Sequence, residues 1–381
     1  MRALGFIALV LAVGCNAGCN SNAAPPAGTP PATSQATPPA VKPVPPADAH
    51  PATLEGKDMY LALCAPCHGK DLKGYSADNA PALNTPTFLE SAADPFLIAA
   101  ITTGRPATSM AAYGQALGGP LDDAAVLRLV AFLRSQGPAV KALPAVPQAL
   151  AKDGEALYVK NCAVCHGDKT VRREGIHLAN PMFQNQATDA FIKHAIVNGR
   201  PGTKMIAWGS VLKDAEINAI VAYVRTFASK DTTISQLPPP TGKEPLVINP
   251  KGKQPSWTLR EDRFVSVDDV YKAYKAGAKM IIVDARPPSD WMRAHIKGAV
   301  SIPYHDMARL SEIPKDTWVI TYCACPHHLS GIVYDELRKQ GFPKSAVLDE
   351  GINDWHRKLY PMTVADGVTP PAPEQHDGHA H

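Results

Sequence analysis

Two short stretches decide the fold of this chain: Cys64-Ala-Pro-Cys67-His68-Gly69 and, 98 residues further on, Cys162-Ala-Val-Cys165-His166-Gly167. Each is preceded at the same distance by a Gly-x-x-x-Tyr segment, which begins at Gly56 in the first copy and at Gly154 in the second. Self-similarity at a fixed offset is the signature of a repeated structural unit. The sequence therefore predicts two copies of one fold.

The repeat continues through a second motif and a closing helix. Gly104-Arg-Pro-Ala-Thr-Ser-Met110 matches Gly199-Arg-Pro-Gly-Thr-Lys-Met205, now at an offset of 95 residues. After each motif, apolar residues recur at the i, i+3, i+4, i+7 spacing of an amphipathic helix, over residues 122–136 and 214–227. We therefore expect each copy to be a small all-α domain that ends in this helix.

Cys-x-x-Cys-His is the attachment signature of c-type haem. Two thiols three residues apart, near the end of a short helix, can reach the two vinyl groups on one edge of the porphyrin, and the following histidine then lies under the iron. The sequence predicts two covalently bound haem c groups. The first has Cys64 and Cys67 as attachment sites and His68 as proximal iron ligand, and the second has Cys162, Cys165 and His166 in the same roles.

Two other chemistries share this cysteine spacing. A redox dithiol usually belongs to a βαβ unit, and half a zinc site needs further Cys or His pairs nearby. Neither condition is met in both copies, so haem is the favoured interpretation.

Met110 and Met205 are the predicted sixth iron ligands, because each stands in a loop before the closing helix at the same place in both copies. The alternative for any methionine is a role as an apolar gap-filler. Met59 and Met182 are rival ligands, but neither has a counterpart in the other copy. Iron held by His and Met is closed to small ligands, which indicates electron transfer rather than catalysis at the metal.

Both copies resemble the all-helical class I cytochrome c family, on the Cys-x-x-Cys-His motif, the methionine and the closing helix. The Gly-Arg-Pro-x-Thr-x-Met pattern is similar to that of the two-haem cytochromes that feed terminal oxidases. In this family a proline carbonyl commonly accepts a hydrogen bond from the proximal histidine. The resemblance therefore implies Pro81 and Pro181 as the partners of the two histidines, and such bonds fix the imidazole ring and tune the metal.

A third block follows, with strands and helices in alternation. Short apolar runs at residues 280–284, 318–322 and 346–348 are typical of buried strands, and residues 330–340 form a helical pattern that ends at Gly341. Alternation of this kind predicts an α/β domain with a parallel sheet.

The third block resembles the rhodanese family. The matching segments, in order, are Val283–Arg286, His295–Ala299, the strand that ends at Cys323, and Gly351–Trp355. The resemblance implies that Cys323 is a nucleophile that attacks a sulfane sulfur and holds it as a persulfide. The loop after it would cradle an anion with backbone N–H groups, assisted by the N-terminus of the next helix.

The loop departs from the family pattern, because residues 323–330 contain no arginine. His327 and His328 are candidate loop contacts in its place. Cys325 could form a disulfide with Cys323 or act as a resolving thiol, and the two cysteines and two histidines could together bind a soft metal such as copper. A rhodanese-like module without turnover is a further alternative, so enzymatic activity stays open.

The remaining segments are predicted to export and tether the protein. A short apolar run ends before Cys15, which resembles the acylated cysteine of bacterial lipoproteins; Cys19 is a rival, and plain secretion is the alternative. Three histidines in the C-terminal tail hold a metal weakly or have no role. The predicted organisation is a signal peptide (1–14), a Pro/Ala-rich disordered tether (15–53), the first domain (54–138), a linker (139–150), the second domain (151–230), a linker (231–262), the third domain (263–363) and a disordered tail (364–381).

The formal net charge of +3, without a long Lys/Arg stripe, predicts no nucleic-acid footprint. We expect a dihaem electron carrier, lipid-anchored on the periplasmic side of a bacterial membrane, whose partners are redox proteins of the envelope. The third domain is expected to bind or transfer sulfane sulfur from a small molecule of the thiosulfate or polysulfide type. The alternative is a respiratory shuttle or oxidase-associated subunit, in which the third domain is a docking or metal- or redox-sensing module.

Overall fold

The computed structural model describes residues 51, 54–77, 79–229, 232–324 and 327–370. The predictions for Cys15, Cys19, Cys325 and the tail histidines lie outside the described residues. In the part of the chain that is described, no helix is both long and apolar enough to cross a membrane.

The first two domains are helical, as the sequence predicts. Within the described residues each domain has five α-helices in the same order, and the helix with the Cys-x-x-Cys-His histidine is the second of the five. In the first domain they are α1 (Gly56–Leu63), α2 (Ala65–His68), α3 (Pro86–Leu89), α4 (Asp94–Thr103) and α5 (Asp123–Arg134). In the second they are α6 (Ala151–Asn161), α7 (Ala163–His166), α8 (Pro181–Gln186), α9 (Asp189–Asn198) and α10 (Asp214–Arg225).

The glycine that opens each repeat lets the first helix cross the closing helix closely. A Cβ atom on Gly56 would overlap the backbone carbonyl of Arg128 in α5, and one on Gly154 would overlap that of Ala219 in α10. Close backbone approach is a position where only glycine fits. The shared glycine is therefore required where the first and last helices of each domain cross.

The tyrosine of the repeat ties the first helix to the turn after the cysteine motif. Tyr60 Oη donates to the carbonyl of Gly69 at 2.6 Å, and Tyr158 Oη donates to that of Gly167 at 2.8 Å. Both tyrosines are buried, so these hydrogen bonds are shielded from water. The Gly-x-x-x-Tyr segment thus positions the motif that follows it.

The first and second domains pack against each other through equivalent residues. Phe96 and Phe191, which correspond in the two copies, pack with ring centroids 4.7 Å apart and ring planes tilted by 31°. Arg105 donates to Gln186 Oε1 at 2.8 Å, and its counterpart Arg200 donates to the carbonyl of Thr87 at 3.1 Å. Each domain therefore inserts its motif arginine into the other.

The third domain contains a parallel sheet, as predicted. Five strands pair in the order β1-β6-β5-β2-β4, all parallel, and β3 pairs with β7 in a separate antiparallel ladder. The strands are β1 (Phe264–Val265), β2 (Ile281–Asp284), β3 (Ala294–Ile296), β4 (Val300–Ser301), β5 (Val319–Tyr322), β6 (Ser345–Leu348) and β7 (Met362–Val364). The helices are α11 (Val267–Lys275), α12 (Pro288–Trp291), α13 (Leu329–Lys339) and α14 (Gly351–Arg357).

The segment before β1, predicted as a linker, lies along the third domain. Ile248 forms an antiparallel bridge with Met280, just before β2. Leu237 N donates to the carbonyl of Met292 at 2.6 Å. The chain between the second and third domains is therefore held by backbone hydrogen bonds to the third.

Candidate haem sites and sulfur loop

The first haem motif presents two thiols and one oriented histidine. Cys64 lies between α1 and α2, and Cys67 and His68 lie on α2. His68 Nδ1 is 2.9 Å from the carbonyl of Pro81, which confirms the predicted partner. Burial lowers the pKa of His68, which favours the neutral imidazole that iron requires. With Nδ1 engaged as a donor, Nε2 is the nitrogen for the iron.

The second motif repeats this arrangement with a different acceptor. His166 Nδ1 is 3.0 Å from the carbonyl of Ile176, so the prediction of Pro181 is wrong. Pro181 is the first residue of α8, where its carbonyl points along the helix axis. The sequence did contain the signal: at the later offset of 95 residues the position equivalent to Pro81 is 176.

The first thiol of each motif is held in its protonated form by burial. Burial raises the pKa of Cys64 to about 12 and that of Cys162 to about 11. Reactive dithiols and zinc sites depend on lowered thiol pKa values instead. The five described cysteines form no disulfide with one another, and the described residues hold no group of three or more His, Cys, Asp or Glu side chains placed for a metal ion.

The Gly-Arg-Pro-x-Thr-x-Met motif folds into the same tight loop in both domains. Arg105 N donates to the carbonyl of Met110 at 2.8 Å, and Arg200 N to that of Met205 at 2.7 Å. The motif threonine, Thr108 in the first domain, accepts from Met110 N at 3.1 Å, and its counterpart in the second domain does the same. The motif thus fixes the backbone of the methionine.

The rival methionines occupy the helical core. Met59 is fully buried and Met182 nearly so, whereas Met110 and Met205 are only partly buried in their loops. A methionine packed on all sides acts as apolar filling. This difference supports Met110 and Met205 as the iron ligands, which remain a prediction.

The residues present fit haem c in both domains. Each domain has two thiols one helical turn apart, a histidine with one ring nitrogen held by a carbonyl, and a methionine on a rigid loop. When bound, haem supplies one-electron redox chemistry at iron. The chain supplies attachment, orientation of the axial ligands and a partly buried setting.

In the third domain Cys323 follows the central strand β5 directly and is buried. Its Sγ is 3.2 Å from Ser330 Oγ in the first turn of α13, a contact that the sequence did not indicate. The carbonyl of Cys323 accepts from Ile352 N at 3.0 Å. Gly351 permits this approach, since it has a φ of +66° and a Cβ atom there would lie 2.8 Å from the same carbonyl.

The loop after Cys323 has basic neighbours that come from outside it. His327 Nε2 is 2.8 Å from Asp349 Oδ1, and Arg260 donates to both oxygens of Asp349 at 3.0 and 2.7 Å. Arg260, followed by His327, holds the pKa of Asp349 below its usual range. Arg263 donates to the carbonyl of Gly331 in α13 at 3.3 Å. Two arginines thus flank a loop that has none of its own.

The Val283–Arg286 segment braces the sheet below the loop. Asp284 and Arg286 form a buried ion pair at 2.7 Å, and Tyr322 Oη donates to Asp284 at 2.8 Å. Because Tyr322 immediately precedes Cys323, this network fixes the end of β5. The role of these residues is therefore to hold the strand that carries the thiol.

Comparisons with known proteins agree with this geometry. Residues 51–133 and 149–224 match the family described as cytochrome c oxidase, cbb3-type, subunit III, and residues 266–358 match the rhodanese-like domain. The chain joins cbb3-type cytochrome domains to a rhodanese-like domain. The match of both cytochrome domains to this family supports haem c as their cofactor.

Three curated relatives illustrate the two parts. The cbb3-type cytochrome c oxidase subunit FixP of Azorhizobium caulinodans is 32% identical over 183 residues, which cover 46% of this chain and 60% of the relative. Dihydro-heme d1 dehydrogenase of Pseudomonas aeruginosa is 33% identical over 26% of this chain and 21% of its own length. A sulfurtransferase of Allochromatium vinosum is 32% identical over 23% of this chain and 82% of its own length. The chain thus spans about 60% of the FixP protein.

Replacement of Met110 or Met205 by Ala should open the sixth position of one haem. Because His/Met iron is closed to small ligands, each variant should bind carbon monoxide at about half of its haem. The measurement is the visible spectrum of the reduced protein with and without carbon monoxide. Met182→Leu is the control and should bind none; an unaltered spectrum in Met110→Ala or Met205→Ala would contradict that ligand assignment.

Ser330→Ala should slow the reaction of Cys323 with a small thiol reagent by about tenfold. A hydroxyl that donates to the thiolate stabilises the reactive form, and a hydrogen bond to a charged group contributes about 1.5–3 kcal/mol. Labelling by methyl methanethiosulfonate in a Cys325→Ser background, followed by peptide mass spectrometry, reports Cys323 alone. Ser345→Ala removes an equally buried hydroxyl elsewhere in the domain and should react at the wild-type rate. Equal rates in Ser330→Ala and the wild type would remove this role.

Proposed function

We propose that the chain is a periplasmic, membrane-anchored cytochrome with two haem c groups, and that its rhodanese-like domain holds sulfane sulfur on Cys323. The observation that carries this proposal is the duplicated site: in one chain, each of two domains combines a Cys-x-x-Cys-His motif that has an oriented histidine with a hydrogen-bonded methionine loop. The cytochrome domains carry single electrons between redox proteins of the cell envelope. The FixP relatives support this electron-transfer role.

The fused third domain connects electron transfer to sulfur chemistry. The Cys323 thiolate and the terminal sulfur of thiosulfate join in one S–S bond, no bond breaks, and two electrons leave. With haem c bound in both cytochrome domains, the two ferric irons would supply the oxidant by accepting one electron each, and Cys323 would retain an S-sulfonated persulfide. The same balance holds for a polysulfide dianion in place of thiosulfate.

The chain supplies the groups that this step needs. Ser330 Oγ contacts the sulfur of Cys323, and Arg260 and Arg263, which form ion pairs with Asp349 and Asp335, lie near the loop that an anion would approach. Opposite charge nearby favours binding of a dianion and stabilises a thiolate. The third domain thus has a nucleophile and two ion-paired arginines close to its loop, and an anion could compete with the carboxylates for these arginines.

The titration of the oxidised protein with thiosulfate, and then with polysulfide, tests the proposal. We expect the visible spectrum to show reduction of the haems in the wild type and none in Cys323→Ser. Ascorbate should reduce the haems of both proteins equally, which is the control for intact haem. If the wild type and Cys323→Ser respond alike, the sulfur part of the proposal is wrong.

A second candidate is a subunit or shuttle of a terminal oxidase, with the rhodanese-like domain as a docking module. The name of the FixP relatives favours it, and so does the absence of arginine from the loop after Cys323. In that case no sulfur compound reduces the haems, while a truncation after residue 262 slows electron delivery to the oxidase. The same titration therefore separates the two candidates.

The membrane anchor has its own test. The apolar run before Cys15 suits a lipoprotein signal, and acyl chains anchor a protein without a spanning helix. Cys15→Ala should move the protein from the membrane fraction to the soluble periplasmic fraction, as judged by haem staining. Release by Cys19→Ala instead would transfer the acylation to the rival cysteine. Wild-type protein that is already soluble would rule out the anchor.

A further inference from the structure

The rhodanese-like domain contacts the first cytochrome domain through the C-terminal edge of its parallel sheet. This is the same edge that carries Cys323. In a parallel sheet all strands end at the same edge. Cys323 follows β5, Ser289 follows β2 and Tyr304 follows β4, and these three strands are neighbours in the sheet. With a strand spacing of about 4.8 Å, the end of β5 is about 10 Å from the end of β4. The contact residues and the sulfur nucleophile therefore share one edge.

Tyr304 reaches the segment that carries the first haem motif. Its hydroxyl donates to the carbonyl of Leu63, the residue before Cys64, at 2.8 Å, and it is buried. Tyr113 Oη lies 3.1 Å from the same carbonyl and 3.0 Å from Tyr304 Oη. Burial raises the pKa of both tyrosines well above the ordinary value, so both keep their protons. One tyrosine from each domain thus shares the carbonyl beside Cys64.

The same edge also meets the loop of the predicted sixth ligand. Ser289 Oγ donates to the carbonyl of Ala112, two residues after Met110, at 2.6 Å. Met292 packs on Gly118, where a side chain would collide with its sulfur. Met110, Ser289 and Asp290 line one small cavity at this contact. The third domain therefore touches the segment that leads into the first haem motif and the segment that follows the predicted sixth ligand.

The second cytochrome domain lacks the groups for such a contact. Trp208 occupies the position of Tyr113, since Trp208 N donates to Ile196 as Tyr113 N donates to Ile101. Tryptophan has no hydroxyl to share, so the tyrosine pair cannot form in the second domain. This difference distinguishes two sites that are otherwise repeats.

We propose that the haem on Cys64 and Cys67 is the one that receives electrons from the rhodanese-like domain, and that Tyr304 positions the two domains for this transfer. The inference rests on the proposed sulfur oxidation at Cys323. With both haems bound, the two electrons of that step would enter at the first haem, and the first electron would move on to the haem on Cys162 and Cys165 before the second arrives.

Rapid mixing of the full-length oxidised protein with thiosulfate tests this order. Freeze-quench electron paramagnetic resonance follows the two ferric haems separately, and the Met110→Ala and Met205→Ala variants assign each signal. We expect the first haem to be reduced before the second in the wild type. Tyr304→Phe, which keeps the ring but loses the shared hydrogen bond, should slow this reduction about tenfold.

Tyr334→Phe is the matched control, because Tyr334 lies in the same domain and its hydroxyl bonds to the carbonyl of Asp262. It should behave as the wild type, and dithionite should reduce the haems of all three proteins at equal rates. Reduction of the second haem first, or a wild-type rate in Tyr304→Phe, would overturn the inference and leave the sulfur oxidation standing. No reduction by thiosulfate in the wild type would remove both.

Discussion

Each cytochrome domain depends on the close crossing of its first and last helices. Gly56 over α5 and Gly154 over α10 allow backbone contact that any side chain would prevent. One turn later, Tyr60 and Tyr158 carry this fixed point to the turn after the cysteine motif. The packing of helices that are distant in the sequence therefore holds the two cysteines and the histidine in the positions needed for haem attachment.

Sequence patterns predicted the parts of the sites that are local. The spacing of the cysteines and histidines, the closing helices, the three buried strands and Pro81 are each set within one motif or one repeat. Pro181 failed because the second domain is three residues shorter between its motifs, which moves Ile176 into the place of Pro81. The presence of a proline was the wrong guide, because the offset between the two copies determines which residue takes the equivalent position, and that residue is an isoleucine.

The remaining site residues could not be read from the sequence because the sheet order brings them together. Asp349 follows β6, which lies between β1 and β5, and Arg260 stands just before β1. Both therefore come beside the Cys323 loop although they are 89 residues apart in the chain. Tyr304 is a similar case, because its partner Leu63 is 241 residues away in another domain.

The three domains contact one another in a closed cycle. The first domain bonds to the second through Arg105 and Arg200, the second continues into residues 231–262, and the third returns to the first through Tyr304. The second and third domains are thus connected twice: covalently through residues 231–262, and non-covalently through their contacts with the first domain. A single proteolytic cut in residues 231–262 would leave the pieces associated, so the assembly behaves as a ring that one break does not open.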